Sequence, residues 1–144
     1  MTVILRSRLR GFSRRRLIGA VDTAMRRLGV GRAELSLVVV GERAMRSANR
    51  RFFGISGPSD VISISQLDGE PFPAPARAAR PEKWLGDVII SFDAARLQAA
   101  EEGHSLQTEL SILAVHGLLH NLGMDDATPR QRSRMMRKTL RILR

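Results

Sequence analysis

The chain has 144 residues, 43% of them hydrophobic, no cysteine, and a formal net charge of +10. That length suits one domain with a real core, residues 1–144, and leaves little room for a second. The absence of cysteine excludes disulfides, a disulfide-linked partner, thiolate catalysis and every cysteine-based zinc site, so any metal must be held by His, Asp or Glu.

Val3 to Leu5 can begin a short strand. Ser13 can then cap a helix through Leu28, with Leu17, Val21, Ala24 and Leu28 on one face, and Gly29 and Gly31 end it. The β-branched run Glu34 to Val40 reads as a strand, followed by a helix from about Glu42 to Arg51. Gly54, Gly57 and Pro58 force a loop, after which Val61 to Ser65 (VISIS) alternates apolar with polar residues as a half-buried strand does. Leu67 to Pro81 holds four prolines and little periodicity, and reads as a mobile loop. Trp84 to Ser91 is the next strand and Asp93 to about Glu102 the next helix, stopped by Gly103. Ser105 can cap a longer apolar helix through Leu122, which Gly123 stops. Thr128-Pro129-Arg130-Gln131 carries a capping-box signal for a last helix to about Leu143. The expected fold is therefore α/β (α+β): a small mixed sheet of about four strands with about five helices.

No apolar run approaches the roughly 20 residues that span a bilayer, and the arginine-broken start MTVILRSRLRGF lacks the features of a signal peptide. The expectation is a cytoplasmic protein with no membrane partner. The charge is unevenly placed. Residues 1–51 carry 13 Arg against 3 acids, residues 52–128 carry 4 bases against 11 acids, and residues 129–144 carry 7 bases and no acid. A basic rim around an acidic centre favours a polyanionic partner.

The chemistry concentrates in HGLLHNLGMDDATP. His116 and His120 are four apart on a helix, so their rings leave the same face one turn apart and can share one ion. Gly123 breaks the helix and lets the chain turn back to present a carboxylate, Asp125 or Asp126; the spacing H-x3-H-x2-G-x2-D places candidate ligands at His116, His120 and Asp126. Three protein ligands and an open position define a catalytic zinc site. His104 lies twelve residues before His116, roughly 18 Å along a helix, and reads as an ordinary surface residue. Gly117 stands where a zinc peptidase of the H-E-x-x-H type needs its glutamate, which argues against proteolysis.

HGLLHNLGMDD resembles the H-G-x-L-H-x-x-G-Y-D-H signature of the YbeY family of bacterial endoribonucleases. Asn49 followed by PSDVISI, LGDVIIS at 85–91, and Glu109 ahead of the signature match further blocks of that family in order. The resemblance implies a single-strand-specific, metal-dependent endoribonuclease acting in 16S rRNA 3′-end maturation and ribosome quality control. Its partners would be ribosomal RNA and the small ribosomal subunit with its assembly factors. The family's three zinc ligands fall on His116, His120 and Asp126, where the family has histidine in place of Asp126. A carboxylate there adds negative charge, weakens the ion as a Lewis acid and admits Mn²⁺ or another hard ion beside Zn²⁺. The family's arginine four residues after the asparagine falls on Phe53, which cannot hold a phosphate; Arg46, Arg50 and Arg51 on the same helix are the candidates for RNA contact. Asp60 and Asp87 match family positions and read as structural groups near the strands. Both departures also fit a non-catalytic or weakened ribosome-assembly factor with a structural metal.

Overall fold

The computed structural model describes residues 2–5, 9–57, 59–65 and 84–144. The proline-rich segment at 67–81 lies outside them. Four strands, β1 (Thr2–Leu5), β2 (Glu34–Val40), β3 (Val61–Ser65) and β4 (Trp84–Ser91), form one sheet in the order β1-β2-β4-β3. β1 runs parallel to β2 and β2 to β4, whereas β3 is antiparallel to β4, so the sheet is mixed as expected. Among the described residues five helices accompany it: α1 (Arg14–Arg27), α2 (Glu42–Phe53), α3 (Phe92–Glu102), α4 (Leu106–Asn121) and α5 (Pro129–Ile142).

The caps follow sequence chemistry. Ser13, Ser91 and Ser105 each accept from the backbone N–H three residues on, and Thr128 and Gln131 form the full capping box. α2 runs two residues past the expected end, through Phe53, because Gly54 at φ +65° supplies the left-handed cap and nothing earlier interrupts the helix.

Two apolar clusters sandwich the sheet. Leu35, Leu37 and Val39 of β2 and Val88 and Ile90 of β4 pack with α1, α3, α4 and α5. On the other face, Val40, Met45 and Ile62 pack with Val38, Ile64 and Ile89 beneath α2. Alternation along β2 explains how one mainly apolar strand serves both layers. At the start of β4 the register slips, with Glu34 facing Trp84 but Leu35 facing Gly86; the bulge turns Leu85 into the core and Gly86 takes φ +118° to allow it.

α4 is the central helix. Ten of its sixteen residues are buried, so it lacks the one-sided apolar stripe of a surface helix. It lies against β3 and β4 at very close range. A Cβ on Gly117 would stand 2.5 Å from Val88 Cγ1 and 3.1 Å from Ser63 Oγ, so only glycine permits this approach. β3 is half-buried as expected, with Ile62 buried and its neighbours partly so, and its serines turn toward α4. Ser63 Oγ donates to the Gly117 carbonyl at 3.0 Å and Ser65 Oγ to the Asn121 carbonyl at 2.9 Å. Two residues of strand and four residues of helix each advance about 6 to 7 Å, so the two hydroxyls meet successive turns of α4. The polar side of β3 thus faces inward, fixing the rotation of the helix that carries the histidines.

Candidate metal centre

α4 ends in a Schellman turn. The Gly123 N–H donates to the His120 carbonyl at 3.0 Å and the Met124 N–H to the Leu119 carbonyl at 3.0 Å, with Gly123 at φ +104°. The turn reverses the chain, and the capping box at Thr128 fixes its far end. Asp125 Oδ1 accepts from the Asp126 N–H at 2.8 Å, which commits Asp125 to the turn and leaves Asp126 to face the histidines. Arg132 Nη1 reaches the carbonyls of Asp126 and Ala127, each at 3.4 Å, and steadies the loop from α5.

His116 Nε2, His120 Nε2 and Asp126 Oδ2 form a nearly equilateral triangle, with edges of 3.2 Å between the histidines, 3.2 Å from His120 to Asp126 and 3.3 Å from His116 to Asp126. Donors on a tetrahedral ion with bonds of 2.0–2.1 Å stand about 3.3 Å apart, so the donor set fits one divalent ion in spacing and in chemistry. The three side chains are partly buried and could hold a metal together. Burial, with the charge of His120 beside it, pushes the His116 imidazole below its ordinary pKa, which favours the neutral ring that a metal needs. Burial acts to raise the Asp126 carboxyl, but His120 and the hydrogen bonds from His120 and His116 outweigh it and hold the group below the usual carboxylate value.

The triad opens on a cleft of about 490 Å3 lined also by Asn49, Phe53, Ser59, Asp60, Ser63 and Asn121. Asn49 is buried in α2 and its amide donates to the Gly57 carbonyl at 2.9 Å and to Ser59 Oγ at 2.7 Å, holding both residues to α2 beside the cleft. Asp60 has the structural role expected: its Oδ1 accepts from the Val61 N–H at 2.7 Å and its Oδ2 from Gln98 at 3.2 Å. It also lines the cleft beside His116 and His120, which its sequence position did not reveal. Asn121 donates to the Asp87 carbonyl at 3.2 Å, so Asp87 serves the site through its backbone, while Asn121 Oδ1 is buried with no partner among the described residues.

Phe53, half exposed, stands on the cleft wall. Arg46, Arg50 and Arg51 do not line it. Arg46 is engaged with Glu42 at 2.8 Å, Arg51 lies over the Phe52 ring at 5.7 Å, and Arg50 is exposed near the end of α2. His104 is not a plain surface residue: it is half-buried, with Nε2 3.2 Å from Oε1 of the buried Glu109, because Gly103 turns it back over the first turn of α4. It takes no part in the triad.

A mixed sheet covered by helices, with two histidines on the central helix and a carboxylate returned by a glycine turn, defines an α/β protein with a mononuclear metal-site geometry. Residues 13–144 match the family described as Endoribonuclease YbeY, and the chain belongs to that family. It is 41% identical over 128 residues to Endoribonuclease YbeY of Pelotomaculum thermopropionicum, covering 88% of this chain and 82% of that one. It is 42% identical over 110 residues to Endoribonuclease YbeY of Symbiobacterium thermophilum, covering 76% and 69%. The solution structure of TM1509 from Thermotoga maritima superposes with a TM-score of 0.64 over 99% of this chain and 85% of that one, at 16% identity, a likeness of fold.

Proposed function

We propose that the chain is a metal-dependent endoribonuclease that cuts single-stranded ribosomal RNA during maturation of the small ribosomal subunit and in ribosome quality control, in the cytoplasm, with His116, His120 and Asp126 as ligands of one Zn²⁺ or Mn²⁺. The observation that carries the reading is the 3.2–3.3 Å donor triangle inside a family of endoribonucleases. A bound ion supplies a Lewis acid for the phosphate oxygen and a water of lowered pKa. The protein's own contribution is positional. His116 stays neutral near pH 7, Asp126 stays ionised, and β3 clamps α4 so that both rings face the cleft. Asn49 and Ser59 shape the wall along which a strand would lie.

The test is metal content and cleavage together. Protein purified without added metal should carry about one divalent ion per chain, and His116→Ala should lose both the ion and the cleavage of a single-stranded RNA. Cleavage undiminished in His116→Ala would defeat the reading.

A second reading, a weakened enzyme or non-catalytic assembly factor with a structural ion, is favoured by one observation: among the described residues, no arginine or lysine lines the cleft, and Phe53 occupies part of its wall. Phe53→Arg and Asp126→His separate the two. A large gain in cleavage at unchanged RNA affinity would mark the natural protein as the weakened form.

A further inference from the structure

RNA needs a cationic track, and the metal cleft has none among its described residues: its lining carries Asp60 and Asp126 and no arginine or lysine. The arginines of α2 are partly spent, on Glu42 and on the Phe52 ring. The last helix is different. Arg134, Arg137, Lys138 and Arg141 sit at i, i+3, i+4 and i+7, one stripe of α5, while Met135, Thr139 and Ile142 bury the adjoining side in the core. All four cations are exposed and surround a shallow recess of about 440 Å3 floored by Met124. Among the described residues none of the four side chains has an acidic or hydrogen-bonding partner, and residues 129–144 contain no acid.

Such a stripe opposes its own helix, since like charges at i,i+4 repel by a few tenths of a kcal/mol per pair. Attraction to the helix C-terminus offsets this only in the last turn, at Arg141. An uncompensated cationic face is favourable once a polyanion lies on it. Its place fits a strand that enters the cleft: Met124 is two residues before Asp126, and α5 starts three residues after it, so the recess adjoins the loop that carries the third ligand. From Arg134 to Arg141 the stripe covers roughly 10 Å of helix axis, enough for two or three successive phosphates.

We infer that the Arg134, Arg137, Lys138 and Arg141 face of α5 is the backbone-binding track for single-stranded RNA, holding phosphates that flank the nucleotide presented to the metal cleft. Arg132, turned to the loop carbonyls, supports the ligand loop and is not part of the track. The inference rests on the endoribonuclease reading for what the strand is, but it is tested by binding, which needs no cleavage.

The experiment is fluorescence anisotropy of a labelled single-stranded RNA 20-mer with the full chain in chelator, across a salt series. Every phosphate that the protein no longer neutralises should flatten the log–log salt dependence by about 0.7. Replacing all four cations by Gln should flatten it by about 2 and weaken binding at least about tenfold near 100 mM salt. Arg134→Lys/Arg137→Lys/Arg141→Lys keeps the charge and should keep most of the affinity, and melting curves on both variants report whether the fold is intact. An unchanged slope in the folded Gln variant overturns the inference. So does an equal or larger weakening from Arg46→Gln/Arg50→Gln/Arg51→Gln, which would place the track on α2, or competition by polyglutamate as effective as by RNA, which would make the face a docking site for acidic protein. Wild type that binds RNA through α5 and never cuts it would remove the endoribonuclease reading and leave the track standing. Wild type that cuts RNA with no dependence on α5 does the reverse.

Discussion

Val88 Cγ1 stands 2.5 Å from where a Gly117 Cβ would be, so the helix bearing both histidines rests directly on the strand below it. Val88 is fully buried and β-branched, with little freedom to turn aside. Gly117→Ala should therefore destabilise the protein by about 1–2 kcal/mol, the overpacking cost partly offset by alanine's better helix propensity. Val88→Ala in the same chain should recover part of that stability. A double-mutant cycle from urea unfolding measures this coupling, and strictly additive single costs would contradict the close approach.

Ser65→Ala leaves the Asn121 carbonyl, in the last turn of α4, without its hydroxyl donor. A destabilisation of about 1–2 kcal/mol is expected. Metal affinity should fall with it, because the same hydrogen bond fixes the turn from which His120 projects. Titration calorimetry with Zn²⁺ on Ser65→Ala and wild type checks the link between clamp and site.

Zn²⁺ supplied at about 100 times its Kd should add about 2.7 kcal/mol to the folded state, a rise in Tm of roughly 10 °C for a chain of this size. Chelator should reverse the rise. His120→Ala and Asp126→Ala should each abolish most of it, since each removes one corner of the donor triangle. A shift of equal size in either variant would place the ion elsewhere.

In the metal-free protein, burial and the neighbouring His120 hold His116 below 6.5. The unfolded chain then takes up its proton first as pH falls, so stability is full above 6.5 and declines as pH drops through the lowered folded value. Asp126, held below 3.8, adds a second decline beneath that pH by the same sign. Tm measured in chelator from about pH 7 to pH 5 should fall, and in His116→Ala it should fall less over that interval.

Most of the elements and the same-face placement of His116 and His120 were legible in the sequence because they depend on local signals: serine and threonine caps, glycine stops, and two histidines one helical turn apart. The choice between Asp125 and Asp126 was not legible from spacing alone. Either carboxylate is within reach after Gly123, and the Asp125 side chain closing on the Asp126 N–H decides it. Nor was the inward placement of Ser63 and Ser65, which alternation reads as a solvent face until a helix backbone is known to press against the strand. Asp60 and Asn49 join the cleft only through the pairing of β3 with β4 and the packing of α2, both of which join distant segments. The partial engagement of Arg46 and Arg51, against a stripe on α5 that has no partner among the described residues, likewise depends on contacts that composition cannot assign.

The loop between α4 and α5 is anchored at both ends by hydrogen bonds, main-chain ones at Gly123 and Met124 on one side and the side-chain-to-backbone pair of the Thr128 capping box on the other. Position 126 is therefore held by its flanks, whatever side chain it carries. A different side chain there would meet the same backbone frame, so the donor group that faces His116 and His120 can change during evolution while the architecture stays put.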